Sequence, residues 1–160
     1  MPLLDRTGTF IADAFSREEG ANRRLQPLPD AVPGVAGIEV ANTTTPESLV
    51  PYFAGLDLIA IAFPAYADGR GFSLARRLRR LGFRGTLRAV GPLIADQFAY
   101  ALACGFDELE LPEASAARQP ASHWASAAAA FSATYQRGYT RGLNILDQRR
   151  LARTTGGPNG

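Results

Sequence analysis

The chain has 160 residues, enough for one domain with its own core, and its apolar content of 46% is ordinary for a globular protein. All 17 basic residues are arginine, and against 15 acids they leave a formal net charge of +2. One cysteine and one histidine exclude an internal disulfide, a cysteine-built cluster and the usual histidine-rich metal sites, so no metal site is predicted.

No stretch of the sequence reaches the ~20 apolar residues that span a bilayer, and the first residues lack the basic and apolar regions of a signal peptide. We therefore expect a cytoplasmic protein that does not bind membranes. The acids nearly balance the arginines and no aromatic stacking platform is evident, which argues against nucleic acid as a partner.

Residues 1–34 are poorly patterned and end in a polar, proline-containing stretch, so we predict either poor order or a short hairpin there. An α/β domain is expected over residues 35–136. Residues 137–160 are expected to form a tail that is largely disordered at its end.

Within the predicted domain, apolar strands alternate with amphipathic helices. Gly82 and Gly105 are placed as left-handed residues that end two of the helices. The alternation predicts a single-domain α/β fold with a small, mostly parallel sheet of about four strands, either flavodoxin-like or part of a β/α barrel. Strands are predicted at residues 35–40, 56–64, 86–91 and 107–111, and helices at residues 45–55, 72–81, 92–104 and 120–135.

The segment "DGRGFS" lies between the most apolar strand and the following helix, at the edge where parallel α/β sheets bind ligands. A helix start offers free N–H groups, glycines let backbone amides approach an anion, and an arginine adds a fork of donors. The sequence therefore predicts an anion-binding loop made of Asp68, Gly69, Arg70, Gly71 and Ser73.

An ordinary loop explains the same residues. Gly69 and Gly71 would then supply positive φ angles, and Asp68 would form an Asx-turn. Arg70 would pair with Asp68 or Asp96. The segment has neither the Gly-Lys-Ser/Thr of a P-loop nor the GxGxxG of a dinucleotide-binding loop.

Four further polar residues are expected to support the site from the same edge: Tyr66, Arg88, Asp96 and Gln97. Arg88 lies inside a strand where a covered position should be apolar, so its charge needs a partner. Asp96 or Asp68 is the expected partner, and the pair has either a structural or a catalytic role. No catalytic residue is assigned.

Several motifs together resemble one bacterial family, the domain of unknown function family 934, which is often associated with sulfite reduction. The resemblance covers roughly residues 56–136 and leaves the first third of the chain poorly matched. It is carried by "FPAYADGRGFS" at residues 63–73, "LRAVG" at 87–91, the Asp96-Gln97 pair, "CGFD" at 104–107 and "FSATYQ" at 131–136.

Three positions depart from the pattern of that family. Ala65 stands where a basic residue is usual, Pro92 where an acid is usual and Ala95 where an arginine is usual. A ligand that these positions hold in the family would be bound differently here, or not at all.

The resemblance implies an accessory protein of assimilatory sulfite reduction, with sulfite reductase or another sulfur-assimilation protein as its partner. Two alternatives stay open. One is an enzyme, such as an oxidoreductase, that acts on a small anionic or phosphorylated ligand through Arg70, Arg88 and Asp96. The other is a non-catalytic protein-interaction module. The sequence has no CxxC motif, so an oxidoreductase would take its electrons from a partner or from a bound cofactor of unknown identity.

Overall fold

The fold is taken from a computed structural model that describes residues 1–32 and 34–133. The tail predicted for residues 137–160 lies outside the described residues. The last described helix includes residues 121–133.

A seven-stranded sheet forms the centre of this α/β domain. Its strands lie side by side in the order β2-β1-β7-β6-β5-β4-β3. The strands are β1 (Leu3–Leu4), β2 (Phe10–Ile11), β3 (Leu25–Pro27), β4 (Gly37–Ala41), β5 (Leu58–Ala62), β6 (Thr86–Val90) and β7 (Glu108–Glu110).

The sheet is larger than the four strands that the sequence predicts. β4 to β7 correspond to the predicted strands, whereas β1, β2 and β3 come from the first 34 residues and have two or three residues each. β1 and β2 form an antiparallel hairpin that pairs with β7, and β3 pairs with β4. The sheet therefore extends across the boundary near residue 35 that the sequence predicts for the domain.

β3 to β7 are parallel and follow one another in chain order across the sheet. A flavodoxin-like sheet reverses its strand order at a switch point, and the crevice at that point binds the ligand. This sheet has no such reversal among its described strands, so the flavodoxin-like alternative is wrong. Consecutive order is also that of a β/α barrel, but here β2 and β3 lie at open edges.

Helices cover one face of the sheet, as expected when right-handed crossovers all step in the same direction. That face is apolar: Ile59, Ile61 and Leu87 of the sheet pack with Leu78 and Trp124 of the helices. Gly82 and Gly105 have φ angles of 101° and 107°, which confirms both predicted helix ends. The helices are α1 (Arg70–Arg80), α2 (Ala95–Cys104), α3 (Glu113–Ala117) and α4 (residues 121–133), with 3₁₀ helices at Leu28–Asp30 and Pro46–Gly55.

The opposite face has a small apolar cluster in which Leu25, Leu58 and Ala60 pack against Phe15. Charged side chains lie beside this cluster and are described below. No helix among residues 1–32 and 34–133 is long and apolar enough to cross a membrane.

The two edge strands of the sheet differ. β2 has two residues, both exposed. At β3, the beginning is covered by a bridge between Ser16 and Arg24, and the end is Pro27, which has no N–H to donate.

Candidate functional site

The predicted loop connects the end of β5 to the start of α1, as the sequence indicates. Phe63 anchors it: its ring centroid lies 5.0 Å from that of Phe72, and its N–H donates to the carbonyl of Val90 over 2.7 Å. The next four residues, 64–67, are exposed. The loop therefore has a fixed base and a solvent-facing tip.

Asp68 and Arg70 form a bidentate ion pair at this tip. Nε of Arg70 donates to Oδ1 of Asp68 over 2.9 Å, and Nη2 donates to Oδ2 over 2.7 Å. The hydrogen bond from Arg70 holds the pKa of Asp68 well below its ordinary value of 3.8. The same pairing raises the pKa of Arg70. Oδ1 of Asp68 also accepts the backbone N–H of Arg70 over 3.2 Å. The Asx-turn and one of the two pairings expected for an ordinary loop are thus present.

The pair occupies only one edge of the guanidinium. A guanidinium has five N–H donors in a fixed fork, and Asp68 takes those of Nε and Nη2. Nη1 of Arg70 has no partner among the described residues, and its side chain is 62% exposed. The second edge of Arg70 therefore faces solvent in an orientation set by Asp68.

The two glycines of the loop do not have the positive φ angles expected for an ordinary turn. A Cβ on Gly71 would lie 2.3 Å from Cζ of Phe63, so Gly71 is required by the packing of α1 on that ring. A Cβ on Gly69 would lie 3.9 Å from Cδ2 of Phe72, an ordinary contact. Neither backbone conformation nor packing requires glycine at position 69, the N-cap of α1.

Asn42 also lies at this loop and is not among the residues predicted for it. It follows the end of β4, the strand beside β5, and is 8% exposed. Its side chain lies close enough to Asp68 to help lower the pKa of that carboxyl. Its Nδ2 makes no hydrogen bond of normal geometry within the described chain. A polar residue directly after the neighbouring parallel strand was the signal that could have found it.

Three of the supporting residues lie at the expected edge. Nε2 of Gln97 donates to the carbonyl of Tyr66 over 2.6 Å, and its Oε1 accepts the N–H of Ile94. Gln97 therefore ties the start of α2 to the loop. Asp96 is exposed in the first turn of α2, and Ser73 is exposed in α1 without capping that helix.

Arg88 does not join this site. Its side chain is 1% exposed and pairs with Asp13, Glu108 and Glu110, so the expected pairing with Asp96 or Asp68 is wrong. The register explains the difference: Arg88 lies directly opposite Glu108 of β7, and Asp13 arrives from the N-terminal segment. Burial alone would lower the pKa of Arg88, but the hydrogen bonds and charges of Asp13 and Glu108 outweigh it and raise that pKa.

The pairs of Arg88 continue into a larger network on the charged face of the sheet. Arg17 donates to Glu110 over 2.7 Å and to Glu39 over 2.7 Å. The network joins β4, β6, β7 and residues 13–17, which supports a structural role for Arg88. The three residues of the enzyme hypothesis, Arg70, Arg88 and Asp96, are therefore not brought together by hydrogen bonds.

Among the described residues, no three histidine, cysteine, aspartate or glutamate side chains are placed to share a metal ion. The loop combines an oriented guanidinium edge on Arg70 with the buried side-chain amide of Asn42.

A family model described as "Bacterial protein of unknown function (DUF934)" matches residues 37–144. That range includes β4 to β7, the loop and its supporting residues on α2. None of the curated proteins and none of the solved structures matches the chain.

Proposed function

The chain belongs to the bacterial protein family of unknown function DUF934, and we propose that it is an accessory protein of assimilatory sulfite reduction that presents Arg70 to an oxyanion. The resemblance carried by the motif at residues 63–73 supports the pathway. The orientation of Arg70 by Asp68 is the observation that supports the recognition role.

Fixing an arginine before its ligand arrives reduces the entropy lost on binding. Asp68 fixes Arg70 through two hydrogen bonds and leaves the Nη1 side of the fork free. A planar pair of oxygens from a carboxylate, a sulfite or a sulfate can accept two parallel N–H bonds at such an edge.

The start of α1 adds to this recognition. Its N-cap, Gly69, has no side chain, and Oδ1 of Asp68 accepts the N–H of Arg70 over 3.2 Å, which leaves the N–H of Gly71 without a side-chain partner in the described chain. Anions are stabilised at a helix start by the unpaired N–H groups and the positive end of the helix dipole. Because Asp68 offsets the charge of Arg70, selectivity depends on the geometry of the free edge more than on net charge.

Binding measurements with matched arginine variants test the proposal. Sulfite, sulfate and phosphate are titrated by calorimetry against the wild type, Arg70→Ala and Arg77→Ala. Arg77 is an appropriate control because it is also exposed on α1 and also paired with an acid, Glu47. We expect sulfite binding to the wild type and to Arg77→Ala, and a loss of about tenfold or more in Arg70→Ala. Equal binding by all three proteins would contradict the role of Arg70.

The pathway is tested separately in a bacterial host that carries the gene. Deletion is expected to slow growth when sulfate is the sulfur source and to leave growth on cysteine unchanged. The tagged protein is expected to co-purify with sulfite reductase. If neither effect is seen, the role in sulfite reduction is wrong whatever Arg70 binds.

A protein-interaction module is the second candidate, favoured by exposed aromatic rings beside the loop. Tyr66 is 57% exposed and Tyr100 is 48% exposed, and Arg76 lies 5.4 Å above the ring of Tyr100. Tyrosine and arginine are enriched at the energetic centres of protein interfaces. The same calorimetry and the co-purification decide between the two candidates. If the wild type binds no free anion, and a folded Arg70→Ala variant loses the co-purifying partner, then Arg70 binds a carboxylate of a partner protein.

A further inference from the structure

A second polar region lies at the opposite edge of the sheet, where the parallel strands begin. A cavity of about 790 Å³ opens there between the residues that precede β5, β6 and β7. Six charged side chains line it: Arg6, Arg23, Arg79, Arg84, Asp57 and Asp107. Four guanidinium groups against two carboxylates leave a formal charge of +2 in a chain whose total is also +2.

Arg79 forms a rigid part of the cavity wall. All five of its N–H donors are used: four bind the carbonyls of Phe83, Gly85 and Gly105, and one binds Asp107 over 2.6 Å. These bonds tie α1 to the loops that precede β6 and β7. Arg79 therefore contributes charge and shape to the cavity and has no donor left for a ligand.

The other three arginines keep free donors. Arg23 makes one hydrogen bond to Asp57, over 3.2 Å, and its guanidinium stacks 4.3 Å from the ring centroid of Phe15. Nη1 of Arg6 lies 3.5 Å from Oδ1 of Asp107, and Arg84 has no ion-pair partner in the described chain. The three side chains come from separate segments, before β2, before β3 and before β6, and meet at one cavity.

We propose that this cavity binds a small polyanion of the organic phosphate class, with two or more negative charges on neighbouring oxyanion groups. Arginine forks are suited to phosphate oxygens, and three of them around one space exceed what a single carboxylate needs. The cavity volume lies within the 300–1,000 Å³ typical of small-molecule sites.

Titration calorimetry with pyrophosphate at constant ionic strength tests this inference. The variants are Arg84→Ala and Arg23→Ala in the cavity and Arg70→Ala in the loop, with Arg118→Ala as a control that removes an exposed arginine outside both sites. Arg84→Ala is the cleaner variant because it breaks no ion pair of the fold. We expect binding by the wild type and the control, and about tenfold weaker binding by each cavity variant.

Three results would overturn the inference. The first is no binding of pyrophosphate by the wild type. The second is an equal loss in Arg118→Ala, which would indicate a non-specific charge effect. The third is a loss in Arg70→Ala with unchanged binding in Arg84→Ala, which would assign the anion to the loop. The inference goes beyond the function proposed for Arg70, and these variants separate the failure of one from the failure of the other.

Discussion

The helix-covered face of the sheet is packed with aliphatic and aromatic side chains, whereas the opposite face buries Arg88 among three carboxylates. Leu87 and Arg88 are neighbours in β6 and point to opposite faces, and they are 0% and 1% exposed. Leu87 is buried because its apolar surface leaves water. Arg88 is buried because Asp13, Glu108 and Glu110 supply paired charges.

The comparison shows that two equally buried positions of one strand depend on different partners. An aliphatic core is non-directional and can partly relax around a smaller side chain. A buried ion network depends most on its central member, because removing Arg88 leaves the carboxylates around it without most of their compensating charge. The charged face is therefore expected to tolerate substitution less well than the helix-covered face, although it contains fewer packed apolar side chains.

The largest effect is expected for Arg88→Ala, with Leu87→Ala as its matched neighbour. We expect Arg88→Ala to lower the free energy of unfolding by about 3–5 kcal/mol, because Asp13 and Glu108 lose their cation and Glu110 keeps only Arg17. Leu87→Ala is expected to cost about 2–5 kcal/mol through lost transfer energy and a cavity. Urea denaturation at pH 7 measures both.

Lowering the pH distinguishes the loss of charge compensation in Arg88→Ala from the loss of apolar packing in Leu87→Ala. Protonated carboxyls need no cation, so the destabilisation by Arg88→Ala should shrink as the pH falls below about 4. The destabilisation by Leu87→Ala should not change with pH. A cost below about 1 kcal/mol for Arg88→Ala at pH 7 would contradict the view that the network supports the fold.

An intermediate effect is expected on the helix-covered face, for Gly71→Ala. Its new methyl group would overlap the Phe63 ring, and forced overpacking costs about 1–3 kcal/mol. The control is Gly69→Ala two residues earlier. There the entropy gained by replacing glycine offsets the poorer helix cap, so we expect a change within about 0.5 kcal/mol. Thermal unfolding of both variants, monitored by circular dichroism, measures the difference. Equal stability of the two variants would contradict the role of Gly71 in packing against Phe63.

The smallest effect is expected for Asp13→Asn, at the solvent side of the charged face. Burial alone would raise the pKa of Asp13, but hydrogen bonds from Arg88 and from the Phe15 amide outweigh it and lower the pKa below 3.8. A lowered folded-state pKa gives stability that is present above about pH 3.8 and is lost as the pH falls through the folded value.

Asp13→Asn should therefore cost about 1 kcal/mol at pH 7 and flatten the acid side of the stability curve. Urea denaturation from about pH 2 to about pH 7 measures how the free energy of unfolding depends on pH, because this range includes the ordinary pKa values of carboxyl groups. An acid side as steep as that of the wild type would show that Asp13 does not carry this pH dependence.

The sequence predicted the elements whose patterns are local. Strong apolar runs located β5 and β6, and the glycines at 82 and 105 located two helix ends, because each signal lies within a few residues. In the N-terminal segment the sequence left open whether a hairpin or poor order was present, and it did not indicate β3, because strands of two or three residues cannot show an alternating pattern.

The candidate site was predicted in part for the same reason. Asp68 and Arg70 are two positions apart in the sequence, and their pairing followed from the motif. The partner of Arg88 at Asp13 is 75 residues away, and nothing local indicates it. Asn42 required knowing which strand lies beside β5, and Gly71 required knowing where the Phe63 ring lies.

The edges of the sheet affect how the protein behaves at high concentration. An open edge strand is a template onto which another chain can add, and this addition is a common start of aggregation. At one edge, the Ser16–Arg24 bridge covers the start of β3 and Pro27 ends it without an amide donor. At the other edge, β2 offers two residues. Self-association by strand addition is therefore disfavoured at both edges.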